Sequence, residues 1–234
     1  MSQGQANPNY PITTSQKVAP IFTGDYAAAD EGSYFVSTLA ATASTAVACT
    51  TQALADTNPA LAIFNGNVVG GTNPFNIYLR YIKVKVTAVG GSNTSKNYSM
   101  LVDNTLAKLT TTGTALGSPQ STNTGSSVIS KMSGYGGVNI AAAQSASGRR
   151  LGDGQVVGAV EVAFDEWVFD FASPVMGKNL IGTTTLVSAR TVPMPPVILA
   201  PGWWMTLGFW GASQAAAADT FGWEIGFIER PTGQ

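Results

Sequence analysis

The chain contains no histidine, a single cysteine, and only 11% charged residues. Without an imidazole, the serine and cysteine triads that use a histidine base are excluded, and the commonest metal ligand is missing. One cysteine, Cys49, rules out an intrachain disulfide and a thiolate zinc site. It sits in the apolar run Ala46-Val47-Ala48-Cys49 and reads as a small buried residue. A fold without cross-links suits a reducing compartment. Charge of either sign is scarce: 12 basic residues against 13 acidic ones leave a net charge of −1. That balance does not predict the basic patch that nucleic acid requires. No run approaches the ~20 apolar residues of a membrane-spanning helix. Met1-Ser2-Gln3-Gly4 shows neither the basic nor the apolar region of a secretory signal. Synthesis in a cytoplasm and use without crossing a membrane are therefore expected. A sustained 3.6-residue apolar stripe is absent too, so no long helix is expected.

What the chain does have is apolar content, 44% over 234 residues, enough for one domain with a substantial core. Its apolar runs are short, rich in Val, Ile, Phe, Trp and Thr, and bounded by Gly, Pro, Ser and Asn. That pattern predicts an all-β fold. The clearest strand is Asn76 to Val89, where Ile82, Val84, Val86 and Ala88 alternate with Lys83, Lys85 and Thr87. Further strands are expected at 34–36, 43–51, 61–64, 98–102 (as an antiparallel return) and 180–187. Asn65-Gly66 reads as a two-residue hairpin connection. Within 155–172 the apolar parity changes near Phe164. A bulge, a tight corner between two strands, or one strand covered on both faces each accounts for this. The last forty residues hold three runs, 197–199, 203–210 and 221–228, separated by turn residues. About eight strands with loop-rich connections predict an antiparallel β-sandwich, with jelly-roll topology as the leading expectation.

The domain expected is 31–234, preceded by an extended arm, residues 1–30, with Pro8, Pro11 and Pro20. The arm is either a docking segment, through Tyr10, Ile12, Ile21 and Phe22, or a frayed terminus. Residues 110–153 form a Ser/Thr/Gly-rich excursion, either a decorated loop or weak edge strands. Near-zero net charge with this much apolar content favours association, so a covered surface is expected.

Candidate chemistry is sparse. The glycines of Ser133-Gly134-Tyr135-Gly136-Gly137 lack the strand-turn-helix setting of a phosphate cradle. Glu161 and Asp165 share parity but would lie about 13 Å apart at ~3.3 Å per residue. Paired carboxylates of glycoside hydrolases need ~5 to 9.5 Å. Asp153, between two glycines, reads as a turn rather than a calcium loop. No cofactor, metal or catalytic residue is expected. Arg149 and Arg150, on a glycine-flanked loop, suit paired hydrogen bonds to an acidic surface, or serve as solubility charges, or mark a protease-sensitive spot. Trp203 and Trp204 are adjacent and so face opposite sides of a strand. Core, subunit interface and sugar-stacking roles all remain open for them.

The segment Pro195-Pro196-Val197-Ile198-Leu199-Ala200-Pro201-Gly202, then Trp204 to Trp210, Gly211-Ala212-Ser213-Gln214 and Phe221 to Arg230, resembles the closing strands of jelly-roll virion proteins of tailed bacteriophages. It looks most like head decoration, or cement, proteins. The resemblance covers roughly the last fifth of the chain. It implies a homotrimer seated on the outer surface of a capsid, contacting the major capsid protein, with no enzymatic role. The alternatives are a tail or fibre component binding a host glycan through Trp203 or Trp204, and a carboxylate-dependent glycoside hydrolase using Glu161 and Asp165.

Overall fold

The alternation read at 76–89 becomes β4 (Phe75–Ala88), the strand around which one of two sheets is organised. In this computed structural model the described residues are 24–39, 45–47, 56–67, 70–72, 74–89, 96–104, 113–138, 140, 147–157, 162–171, 189–211 and 219–232. One short helix, α1 (Gly24–Asp30), precedes the strands β1 (Tyr34–Thr38), β2 (Thr45–Val47) and β3 (Leu61–Asn65). After β4 come β5 (Lys96–Asp103), β6 (Thr114–Ala115), β7 (Gln120–Ser121), β8 (Met132–Gly136) and β9 (Arg149–Val157). The chain ends with β10 (Glu166–Asp170), β11 (Ala189–Pro193), β12 (Ile198–Leu199), β13 (Trp204–Trp210) and β14 (Asp219–Pro231).

The strands form two sheets packed as a sandwich. The first runs β11-β10-β4-β14-β1-β7, with β12 also on β4 and β2 on β14; the second runs β6-β8-β3-β13-β5-β9. Among the described residues, every strand pairing is antiparallel except β10 with β11. The chain crosses from one sheet to the other between β3 and β4 and again between β4 and β5, which corrects two local expectations. Asn65-Gly66 is not a hairpin turn, because β3 pairs with β8 and β13 while β4 belongs to the other sheet. Residues 98–102 do not return along β4 but pair with β9 and β13. The Asn65 side chain explains the first correction. It is buried and donates to the Phe75 carbonyl at 2.9 Å and the Leu199 carbonyl at 2.8 Å, fastening the two sheets together where the chain crosses over.

The core lies between the sheets. Trp167 and Phe169 of β10, Phe221 and Trp223 of β14, Tyr98 of β5 and Phe209 of β13 form one aromatic cluster. Its rings meet at 5.0 Å for Tyr98–Phe169 and 5.4 Å for Trp167–Phe209, both edge to face. In β4 the buried residues are Ile77, Leu79, Ile82, Val84 and Val86, which changes parity after Leu79. A register shift absorbs the change: Leu79 faces Phe227 and Tyr81 faces Gly226, so Arg80 is the extra residue of a bulge. Tyr81 lies so close to Gly226 that a Cβ there would stand 2.2 Å from its ring. The sequence predicts no bulge in β4; it allows one near Phe164, as one of three alternatives. Near Phe164 the structure has a corner, with the Asp165 amide donating to the Val162 carbonyl at 3.1 Å.

A second, smaller cluster covers the outer face of the second sheet, with Ala62, Leu101 and Trp204 beneath Val138 and Ile140. Within the 110–153 excursion, β6 and β7 are short edge strands of the two sheets and β8 pairs with β3. Gly117 ties the excursion to β1, its amide donating to the Thr38 carbonyl. Of the expected arm, residues 24–30 are helical rather than extended. Ala28 is buried and Asp25 meets Arg80 at 2.7 Å. Residues 1–23, the strand read at 180–187, Cys49 and Glu161 lie outside the described residues.

Candidate interaction surface

Strand register defines two ends of the sandwich. At one end β3 and β14 finish while β4, β9 and β13 begin. A cleft of about 650 Å³ opens there, walled by Phe35, Phe75 and Pro231 and rimmed by Val128 and Ile129. Those two rim residues are 52% and 78% exposed, high values for branched aliphatic side chains. They are held by a buried carboxylate. Glu229 is 5% exposed and accepts hydrogen bonds from the Ser130 hydroxyl and from the Lys131 amide at 3.1 Å. Burial pushes its carboxyl above the ordinary glutamate value, and the bonds from Ser130, Lys131 and Met132 pull it part of the way back. The remaining charges of the cleft are Lys131 and the pair Arg230–Glu31, at 3.5 Å.

The same end carries four of the eight residues that sequence reasoning selected. Arg149 and Arg150 begin an edge strand, β9, and are not on a loop. Arg150 is engaged at home: its guanidinium reaches both Asp56 oxygens, at 3.2 and 3.1 Å, and the Ser99 hydroxyl. Arg149 is exposed and lies over the Trp203 ring, 5.9 Å from its centroid. The two tryptophans do face opposite ways. Trp203 is half-buried against the main core, and Trp204 is 1% exposed within the outer cluster. Trp204 is therefore not available to a partner or a sugar. Tyr10, Ile12, Ile21 and Phe22 lie outside the described residues.

The opposite end holds a feature the sequence only hinted at through its parity change. Phe164, at the corner before β10, has φ of 74° and is 54% exposed. A bulky side chain seldom adopts that backbone conformation. Val162 beside it is 40% exposed, and the Lys85 ammonium lies 5.4 Å from the Phe164 ring centroid. Asp165, one of the two carboxylates weighed for hydrolysis, is 3% exposed and accepts the Val162 amide at 3.1 Å, closing the corner. It is committed to the turn.

Among the described residues, no group of three or more His, Cys, Asp or Glu stands together as a metal site. No family model matches the chain, and neither does any curated protein or solved structure.

Proposed function

We propose that this chain is a structural virion protein that docks, as a homotrimer, on the outer surface of an assembled bacteriophage capsid and stabilises the shell. The strand order carries the reading. Eight strands divide as β1-β14-β4-β10 in one sheet and β3-β13-β5-β9 in the other, the chain changing sheet between successive members of this set except from β5 to β9. Eight strands in two Greek keys make a jelly roll, the double-sheet architecture that recurs in viral capsid domains. The step from that architecture to a shell rests on analogy of fold and on the closing-strand resemblance.

A protein that binds only the assembled lattice stabilises it by mass action. The end bearing the Val128–Ile129 cleft and the Arg149–Trp203 pair is the surface we assign to the major capsid protein, with Tyr10, Ile12, Ile21 and Phe22 of the N-terminal segment as additional contacts. Of the rival readings, glycan binding loses Trp204 to burial and keeps Trp203 only with Arg149 over its ring.

Co-sedimentation tests the proposal. The purified chain should pellet with assembled shells and not with dissociated capsid subunits. Deleting residues 1–23, which spares α1, should weaken pelleting without changing the circular dichroism of the fold. Equal binding to free subunits, or none to shells, would refute the reading.

A further inference from the structure

Lys96 is a lysine shut away from water beside a carboxylate. It and Asp219 are 1% and 0% exposed, and its ammonium donates to Asp219 Oδ2. We infer that this pair is the site of a covalent modification: Lys96 Nζ condenses with the Asp219 carboxyl to form an amide that cross-links β5 of one sheet to β14 of the other.

The enclosure and the placement of the two groups carry the inference. The Phe221 ring centroid lies 5.4 Å from Nζ, and Phe221 packs against Trp167 at 5.8 Å and Phe209 at 5.5 Å, so the aromatic cluster closes one side of the pair. Both residues are positioned by backbone pairing, Lys96 opposite Val157 of β9 and Asp219 opposite Val47 of β2. The fold thus holds an amine and a carboxyl in contact. Well-oriented groups held in this way react as if at effective molarities of about 10⁵ to 10⁸ M. Lys83–Glu224 shows the contrast. Its side chains are each 33% exposed and 3.4 Å apart, so water stabilises both charges and no condensation is expected. In Arg80–Asp25, Arg150–Asp56 and Arg230–Glu31 the cation is a guanidinium, which stays protonated and is no nucleophile.

The chemistry balances without a further reagent. Charges without water are unfavourable, so the ammonium proton passes along the hydrogen bond to the carboxylate, leaving an amine beside a carboxylic acid. The amine lone pair adds to Asp219 Cγ and forms the C–N bond. A proton then moves from nitrogen to the departing hydroxyl, the C–O bond breaks, and one water leaves. Nothing is oxidised or reduced. The product is uncharged, so the desolvation cost of the ion pair disappears with it. The two residues are 123 positions apart, over half of the 234-residue chain, and a closure of that length strongly restricts the unfolded state. A disulfide cannot supply such a cross-link, since the chain has one cysteine. Newly folded protein carries the ion pair, and the amide accumulates afterwards. The inference concerns the purified chain alone, so its failure and a failure of capsid docking are read separately.

Mass spectrometry of the folded full chain, held at neutral pH, tests it. The wild type should settle about 18 Da, one water, below the mass of its sequence. A tryptic digest should then contain residues 86–108, uncut at Lys96, joined to residues 191–234. Lys96→Met should keep its full mass. The joined peptide separates the amide from loss of water elsewhere, such as a succinimide at Asp153-Gly154, and decides the matter even if Lys96→Met fails to fold. A wild type that keeps the mass of its sequence, or a loss of water with Lys96 cut as usual and no joined peptide, would overturn the proposal.

Discussion

Lys96 and Asp219 form an ion pair that joins the two sheets at the end opposite the cleft, with side chains 1% and 0% exposed. Lys96 begins β5 in one sheet and Asp219 begins β14 in the other, and the ammonium also lies 5.4 Å from the Phe221 ring centroid. Desolvating two charges offsets much of their attraction, so the pair matters most when half of it is removed. Asp219→Ala should cost about 3 to 5 kcal/mol in urea unfolding, because it removes the counter-charge beside a buried ammonium. Lys96→Met combined with Asp219→Leu should recover most of that loss. A double variant no more stable than the single one would contradict this reading.

The adjacent tryptophans should differ in their effect on stability. Trp204 is enclosed by the outer cluster, so Trp204→Ala should destabilise by about 3 to 5 kcal/mol. Trp203 is only half-buried, and Trp203→Ala should cost clearly less. Chemical denaturation of the two variants checks the order, and a larger loss at Trp203 would show the outer cluster to be weaker than its burial implies.

Glu229 should give stability a pH dependence of defined sign. Its carboxyl holds a proton more tightly in the folded state than in the unfolded chain, because burial disfavours the charged form. That contribution to stability is fully present below the unfolded value and is lost as pH rises through the folded one. Glu229→Gln has no such group. The wild type should therefore lose stability relative to Glu229→Gln as pH rises from the ordinary glutamate value through the raised folded one. Unfolding midpoints across that range measure the difference; a difference that grows in favour of the wild type would reverse the assignment.

Strands were legible where the chemistry is local. Ile82, Lys83, Val84 and Lys85 announce β4 by alternation, and the largely apolar run from Trp204 to Phe209, interrupted by Thr206 and Gly208, announces β13, buried on both faces. Partners were not legible, because they depend on residues far apart in sequence. Asn65-Gly66 carries a hairpin signal, yet the Asn65 amide is spent on Phe75 and Leu199. The bulge at Arg80 exists because Tyr81 needs the vacant side of Gly226, a condition that neither residue displays alone. Of the proposed contact surface, Arg149 and Trp203 were selected by residue type. Phe164 left only a parity change, and the cleft left no pattern, since its walls come from β1, β4, β14 and the loop before β8.

Electron cryomicroscopy of the purified bacteriophage particle is the most direct test of the account. The account predicts density for this β-sandwich on the outer face of the shell, repeated with the capsid lattice, with the Val128–Ile129 end and the Arg149–Trp203 pair at protein contacts. A shell bare of that density, or the chain placed only in a tail fibre with Trp203 against a glycan, would contradict it.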